Sequence, residues 1–117
     1  MPSTTHYKRG DVVLVPFPFT DLRSAKQRPA LVISPDTFNS TREDLLLAAI
    51  TSHIPAALAA AEFLIPPADL AACGLPKPSI LRLLKLVALH RTPVVNRIGS
   101  LSDPALAQVS TRLHKLL

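Results

Sequence analysis

Apolar residues in this chain fall in short runs cut by prolines and hydroxyl-rich turns, a pattern that predicts strands more than long helices. After Gly10-Asp11, Val12-Val13-Leu14-Val15 reads as a first strand. Pro16-Phe17-Pro18-Phe19 stops it, because a proline has no amide hydrogen for a ladder, and the two phenylalanines are expected at the core edge. Ala30 to Ile33 is a second strand, closed by the turn chemistry of Ser34-Pro35-Asp36 and a turn running to Thr41. A third runs from Asp44 to Ser52, and its alternation puts Leu47, Ala49, Thr51 and His53 on one face, with Leu46, Ala48, Ile50 and Ser52 on the other. Ala56 to Ala61 suits a helical turn or a loop, and Glu62 to Ile65 is a fourth strand. Ala68 to Cys73 predicts one helical turn capped by Gly74. Ser79 to Leu89 fits helix and strand alike; its place after four strands makes its first part a strand. Ser102-Asp103-Pro104 starts a terminal helix with a capping hydroxyl, an acid and a first-turn proline, and Leu106, Val109, Leu113 and Leu116 form its apolar face.

The 117 residues fit one domain able to bury a core without metal or disulfide support, with residues 1 to 7 as a loose tail and 8 to 117 as the domain. An apolar content of 48% excludes general disorder, and the 12 prolines between Val, Ile and Leu runs favour a small, mainly β fold. Thirteen Lys and Arg against eight Asp and Glu give a net charge of +5, which attracts polyanions. Between Glu43 and Pro76 there is no Lys or Arg, so the positive charge comes from two blocks, 8 to 42 and 77 to 115, that make one basic face if they meet. A single cysteine, Cys73, excludes an intrachain disulfide and points to a reducing compartment; with no secretory segment and no membrane span, the expectation is a soluble cytoplasmic protein with no membrane contact.

His6, His53, His90 and His114 are scattered without zinc or two-metal spacing, so no metal site is expected. The glycines never cluster into a phosphate loop, and Cys73 has no nucleophile context. What remains is Arg28, held extended before Pro29 at the entrance of the second strand, and the hydroxyls of Thr51 and Ser52 at the end of the third. A guanidinium there offers five donors and a permanent charge, which suits a phosphate. The polar stretch Thr20 to Lys26 before it is long enough to form a mobile lip.

Three blocks, Arg9-Gly10-Asp11-Val12-Val13-Leu14-Val15-Pro16-Phe17, Gln27-Arg28-Pro29-Ala30-Leu31-Val32-Ile33-Ser34 and Ala48-Ala49-Ile50-Thr51-Ser52, resemble in order those of the MazF/PemK toxin family. Pro78 to Arg82 and Arg91 to Leu101 are similar to its last strand and following turn, so the resemblance covers roughly residues 8 to 117. It implies an SH3-like small barrel of the CcdB/PemK type with a C-terminal α-helix, a homodimer, and a toxin of a type II toxin-antitoxin system masked by a cognate antitoxin. The implied activity is metal-independent and cofactor-free endoribonuclease cleavage of single-stranded RNA, leaving a 2′,3′-cyclic phosphate and a 5′-hydroxyl. By the same resemblance the catalytic arginine falls on Arg28 and the catalytic hydroxyl on Thr51.

That assignment agrees with the chemistry: as a ribose 2′-hydroxyl attacks its phosphate, charge grows on the phosphoryl oxygens, and a fixed guanidinium stabilises it. An acid found in part of the family two positions after the arginine of the last strand is absent here, where Leu83 and Leu84 follow Arg82. Arg28 holds its proton too tightly to act as a base, which leaves Ser52 and His53 as supporting groups, since an imidazole ordinarily exchanges protons near neutral pH. Lys26, Gln27, Arg82 and Lys85 are the expected RNA contacts. Without Trp, and with few other aromatics, recognition should rest on polar edges and loop shape. Two alternatives use the same barrel: a non-enzymatic toxin that inhibits a protein such as gyrase, and a nucleic-acid-binding module without catalysis.

Overall fold

The computed structural model describes residues 6–16, 27–90 and 96–117. Six strands, β1 (Asp11–Val15), β2 (Arg28–Val32), β3 (Asp44–Thr51), β4 (Glu62–Leu64), β5 (Ile80–His90) and β6 (Asn96–Ser100), form one antiparallel sheet in the order β4-β5-β3-β2-β1-β6. Two helices, α1 (Asp36–Thr41) and α2 (Asp103–Leu116), and a 3-10 turn at Pro67–Asp69 complete the described chain. The sheet is not closed, but irregularities bend it toward a barrel: between Ala48 and Ala49 the partner in β5 jumps from Leu86 to Arg82, and β1 and β6 shift register between Val12 and Val13. Such bulges increase local twist and curl a sheet on itself.

The period-2 pattern sorts the strand residues onto two faces. Val12, Leu31, Ile33, Ala48, Ile50, Leu81 and Leu83 pack together with Ala105, Val109 and Leu113 of α2. On the other face Tyr7, Val13, Val15, Ala30, Val32, Leu45, Leu47 and Ala49 form a second cluster. The terminal helix lies on the first face as its leucine spacing predicts, with Leu106 and Leu116 partly buried beside it. Its cap is Ser102, whose hydroxyl accepts from the Ala105 amide at 3.4 Å and donates to Asp69 at 2.6 Å. Ser102→Ala is expected to lower stability by about 1 kcal/mol, read from the urea midpoint; an unchanged midpoint would mean that the cap and the Asp69 bond contribute nothing.

Four sequence expectations differ from the structure. The turn at Ser34 to Thr41 contains α1, although its residues are weak helix formers. A tertiary tether holds it: the buried Asn39 side chain donates to the Ser34 carbonyl at 2.9 Å and accepts from the Ser34 hydroxyl, which also accepts from the Leu46 amide. Ser79 to Leu89 is strand almost throughout, because β5 pairs with β3 before and after the bulge. The stretch similar to a turn after the last strand contains β6, an edge strand on β1. Tyr7, assigned to the tail, is buried in the second cluster. The expected lip of Thr20 to Lys26, and Phe17 and Phe19, lie outside the described residues.

Beyond the 3-10 turn the chain crosses β6 backbone to backbone. Gly74 takes a left-handed φ of 72°, and a Cβ there would stand 2.2 Å from the Ile98 carbonyl oxygen; at Gly99 it would stand 2.2 Å from that of Ala72. Only hydrogen fits on both sides of this contact. Cys73 is buried in the crossing, where loss of solvent and the nearby Asp69 charge push its thiol up to about 11, so it stays a packed hydrophobe. Among the described residues no helix is long and apolar enough to cross a membrane.

Candidate active site

Directly opposed residues of antiparallel strands project from the same face, so register decides which side chains meet. One transverse row reads Val13, Ala30, Ala49, Arg82 and Glu62 across β1, β2, β3, β5 and β4. In the adjacent row Val15 opposes Arg28, and Thr51 opposes Ile80, which opposes Leu64. The Ala30–Ala49 pairing, extended by two residues on each strand, sets Arg28 against Thr51. Arg28, Thr51, Arg82 and Glu62 therefore rise from one sheet face, opposite to the face that α2 covers.

Local backbone chemistry orients this corner. Where β3 ends, the His53 amide donates to the Thr51 hydroxyl oxygen at 3.1 Å, a turn that folds His53 back over the strand end. The hydroxyl accepts this bond and keeps its own hydrogen to donate elsewhere. Thr51, His53, Pro55, Glu62, Ile80 and Arg82 line one cavity of about 320 Å³, the size class that receives a small ligand or a single nucleotide unit. A neighbouring cavity of about 400 Å³ is lined by Ala59, Ala61, Glu62, Arg82, Leu84 and Lys85. Partial desolvation and then the positive charge of Arg82 lower the Lys85 ammonium below its ordinary value. Two cations that repel each other in this way gain when a phosphate enters between them.

Of the residues singled out in the sequence, Arg28 and Gln27 are exposed at the entrance of β2, Thr51 is half-buried, and Arg82 and Lys85 flank the bulge of β5. Ser52 is exposed but does not line the cavity that holds Thr51 and His53, because the strand's alternation carries it to the other side. Lys26 lies outside the described residues. Leu84, at the position where part of the family carries an acid, is 55% exposed. From the two basic blocks of the sequence, Arg28 and Arg82 rise from one sheet face, while an Arg9 guanidinium nitrogen donates to the Ser110 hydroxyl of α2.

Glu62 had no place among the sequence candidates, since it read only as the first residue of a short strand. A signal was present: it is the single acid between Asp44 and Asp69, in a stretch with no lysine or arginine to neutralise it.

Residues 8–117 match the family described as PemK-like, MazF-like toxin of type II toxin-antitoxin system. The chain is 30% identical over 94 residues to Endoribonuclease MazF6 of Mycobacterium tuberculosis, covering 80% of each. Its fold is similar to that of an endoribonuclease from Mycobacterial species (TM-score 0.75, 16% identity, 97% of this chain and 93% of that one). It is also similar to crystalline MazF from Deinococcus radiodurans (TM-score 0.73, 20% identity, 96% of each chain). With the match spanning nearly the whole described chain, the protein belongs to the PemK-like, MazF-like toxin family of type II toxin-antitoxin systems.

Proposed function

We propose that this toxin is an endoribonuclease that cleaves single-stranded RNA without a metal ion, with Arg28 and Thr51 as its catalytic pair. The observation that carries the reading is the β2–β3 register, Ala30 opposite Ala49, which continued by two residues on each strand brings Arg28 and Thr51 to one sheet face, one row from Arg82. In-line attack by a ribose 2′-oxygen on its own phosphate builds negative charge on the phosphoryl oxygens and breaks the bond to the 5′-oxygen. The Arg28 guanidinium bonds those oxygens as the charge grows, and the Thr51 hydroxyl, its lone pair held by the His53 amide, donates a further hydrogen bond. His53 lines the cavity that Thr51 lines and, in this reading, gives a proton to the departing 5′-oxygen. Arg82 and Lys85, with Gln27 and Lys26, hold the flanking phosphates and sugar edges, which sets the strand's path more than its sequence.

By the same reading the protein works in the cytoplasm, where its RNA substrate is found, pairs as a homodimer, and is silenced by a cognate antitoxin. Solved relatives include an endoribonuclease in complex with its cognate antitoxin from Mycobacterial species, similar at a TM-score of 0.73 over 93% of this chain. The test is cleavage of a single-stranded RNA by purified protein in excess chelator, with the new ends mapped. A 2′,3′-cyclic phosphate and a 5′-hydroxyl are expected; intact RNA, or cleavage only after a divalent ion is restored, overturns the reading. Thr51→Ala is expected to lower kcat about tenfold, the worth of one neutral hydrogen bond, with the fold intact. An unaltered kcat would take Thr51 out of the mechanism.

A further inference from the structure

The ribonuclease reading leaves one proton without a destination. The attacking 2′-hydroxyl must lose it, and a guanidinium cannot accept it. We propose that Glu62 is the acceptor, and so a further catalytic residue; this inference rests on the ribonuclease reading above.

Register and chemistry point to the same side chain. Glu62 opposes Arg82 across β4 and β5, which puts it in the row next to Arg28 and Thr51 and on their face. Among the described residues it is the one carboxylate lining the cavity that Thr51, His53 and Arg82 also line. Its Oε1 accepts the Ala59 amide at 2.8 Å, which anchors the group, while among the described residues Oε2 carries no hydrogen-bond partner. It also lines the cavity beside Leu84, Arg82 and Lys85, so a carboxylate from β4 reaches the space to which β5 brings Leu84 and two cations but no acid. The groups that share a cavity with it are cationic or able to become so: His53 from the end of β3, Arg82 and Lys85 from β5 and, around the sheet edge at β4, Arg112 and Lys115 from α2. Arg112 is committed elsewhere, its Nη1 donating to the Glu62 carbonyl at 3.0 Å and its guanidinium lying over the Phe63 ring.

A carboxylate in this setting works against binding, since it repels the phosphates that the surrounding cations attract. Its contribution is to the reaction. Glu62 Oε2 takes the proton from the 2′-hydroxyl, the 2′-oxygen bonds to phosphorus, the bond from phosphorus to the 5′-oxygen breaks, and that oxygen receives a proton from the His53 imidazolium. The RNA leaves as a cyclic phosphate and a free 5′-hydroxyl, and solvent returns one proton to His53 and removes one from Glu62.

The experiment is steady-state cleavage of a single-stranded RNA oligonucleotide across pH by the full chain, as wild type, Glu62→Gln and Glu62→Asp. Gln keeps an oxygen for the Ala59 amide but is no base. It is expected to lower kcat on the order of 10²-fold, with KM unchanged or reduced, and to erase the acid limb of the pH profile while the alkaline limb stays. Asp keeps the carboxylate and should retain the acid limb and part of the rate. A Gln variant with wild-type kcat, or one still showing the acid limb, overturns the assignment; equal losses in Gln and Asp with unchanged limbs mean a structural role and overturn it as well. Wild-type protein that cleaves no RNA removes the ribonuclease reading and this inference together, a result distinct from a failure of Glu62 alone.

Discussion

Arg28→Ala is expected to lower the rate of RNA cleavage by about 10²- to 10³-fold, or about 2.7–4 kcal/mol of transition-state stabilisation, without unfolding the protein. On the proposed mechanism the loss is large because the guanidinium bonds the oxygens on which charge develops. Pro29 keeps its backbone extended and pairing with Val15 fixes the strand that carries it, so little reorganisation is needed at the moment of reaction. It is also separable from folding, because Arg28 is exposed while the buried residues of β2 begin with Ala30. Lysine at this position should recover only part of the rate, because a point charge does not reproduce a planar fork of donors. The measurement is single-turnover cleavage together with the thermal midpoint. Near-wild-type cleavage by a well-folded alanine variant would take Arg28 out of the chemistry, and lost cleavage with a lowered midpoint would mean that it acts through the fold.

Leu81→Ala is expected to have the largest effect on stability, about 2–5 kcal/mol, out of a total that for a domain of this kind is about 5–15 kcal/mol. Leu81 is fully buried and stands between two large neighbours, Ile50 of β3 and Phe63 of β4, in a cluster that α2 covers with Ala105, Val109 and Leu113. Hydrogen-bonded strands on both sides hold these walls apart, so the vacated space closes poorly and its lining loses contacts outright. Urea unfolding reads the change as a lower midpoint at constant slope. A loss below about 1 kcal/mol would show that this core collapses around the gap, contrary to the rigidity expected of a dense interior. Because Arg82 is the next residue, the same variant should also weaken RNA cleavage as β5 loosens.

Much of the proposed site is legible in local sequence. Arg28 stands out because an arginine before Pro29 opens an apolar run, and Thr51 because it ends one; both are local features. The capping group of α2 was equally plain from Ser102-Asp103-Pro104. Alternation already put Thr51 and His53 on one face and Ser52 on the other, but which of those faces lines a cavity depends on strands distant in sequence. α1 escaped notice because its stability resides in the Ser34–Asn39 tether, and β6 because Asn96-Arg97-Ile98-Gly99-Ser100 has no strand-like alternation and is extended only by pairing with β1.

The amino-acid order by itself determined the apolar strand runs, the terminal helix, the excess of positive charge and the prominence of Arg28 and Thr51 at strand ends, since each depends on neighbours within a few positions. The tertiary structure alone decided that Glu62 stands beside Arg82 and one row from Thr51, and that the Thr51 face of β3 opens on a cavity they share. The reason is register: a β-sheet brings together residues far apart in sequence, and a one-residue slip would turn every side chain of a strand to the opposite face.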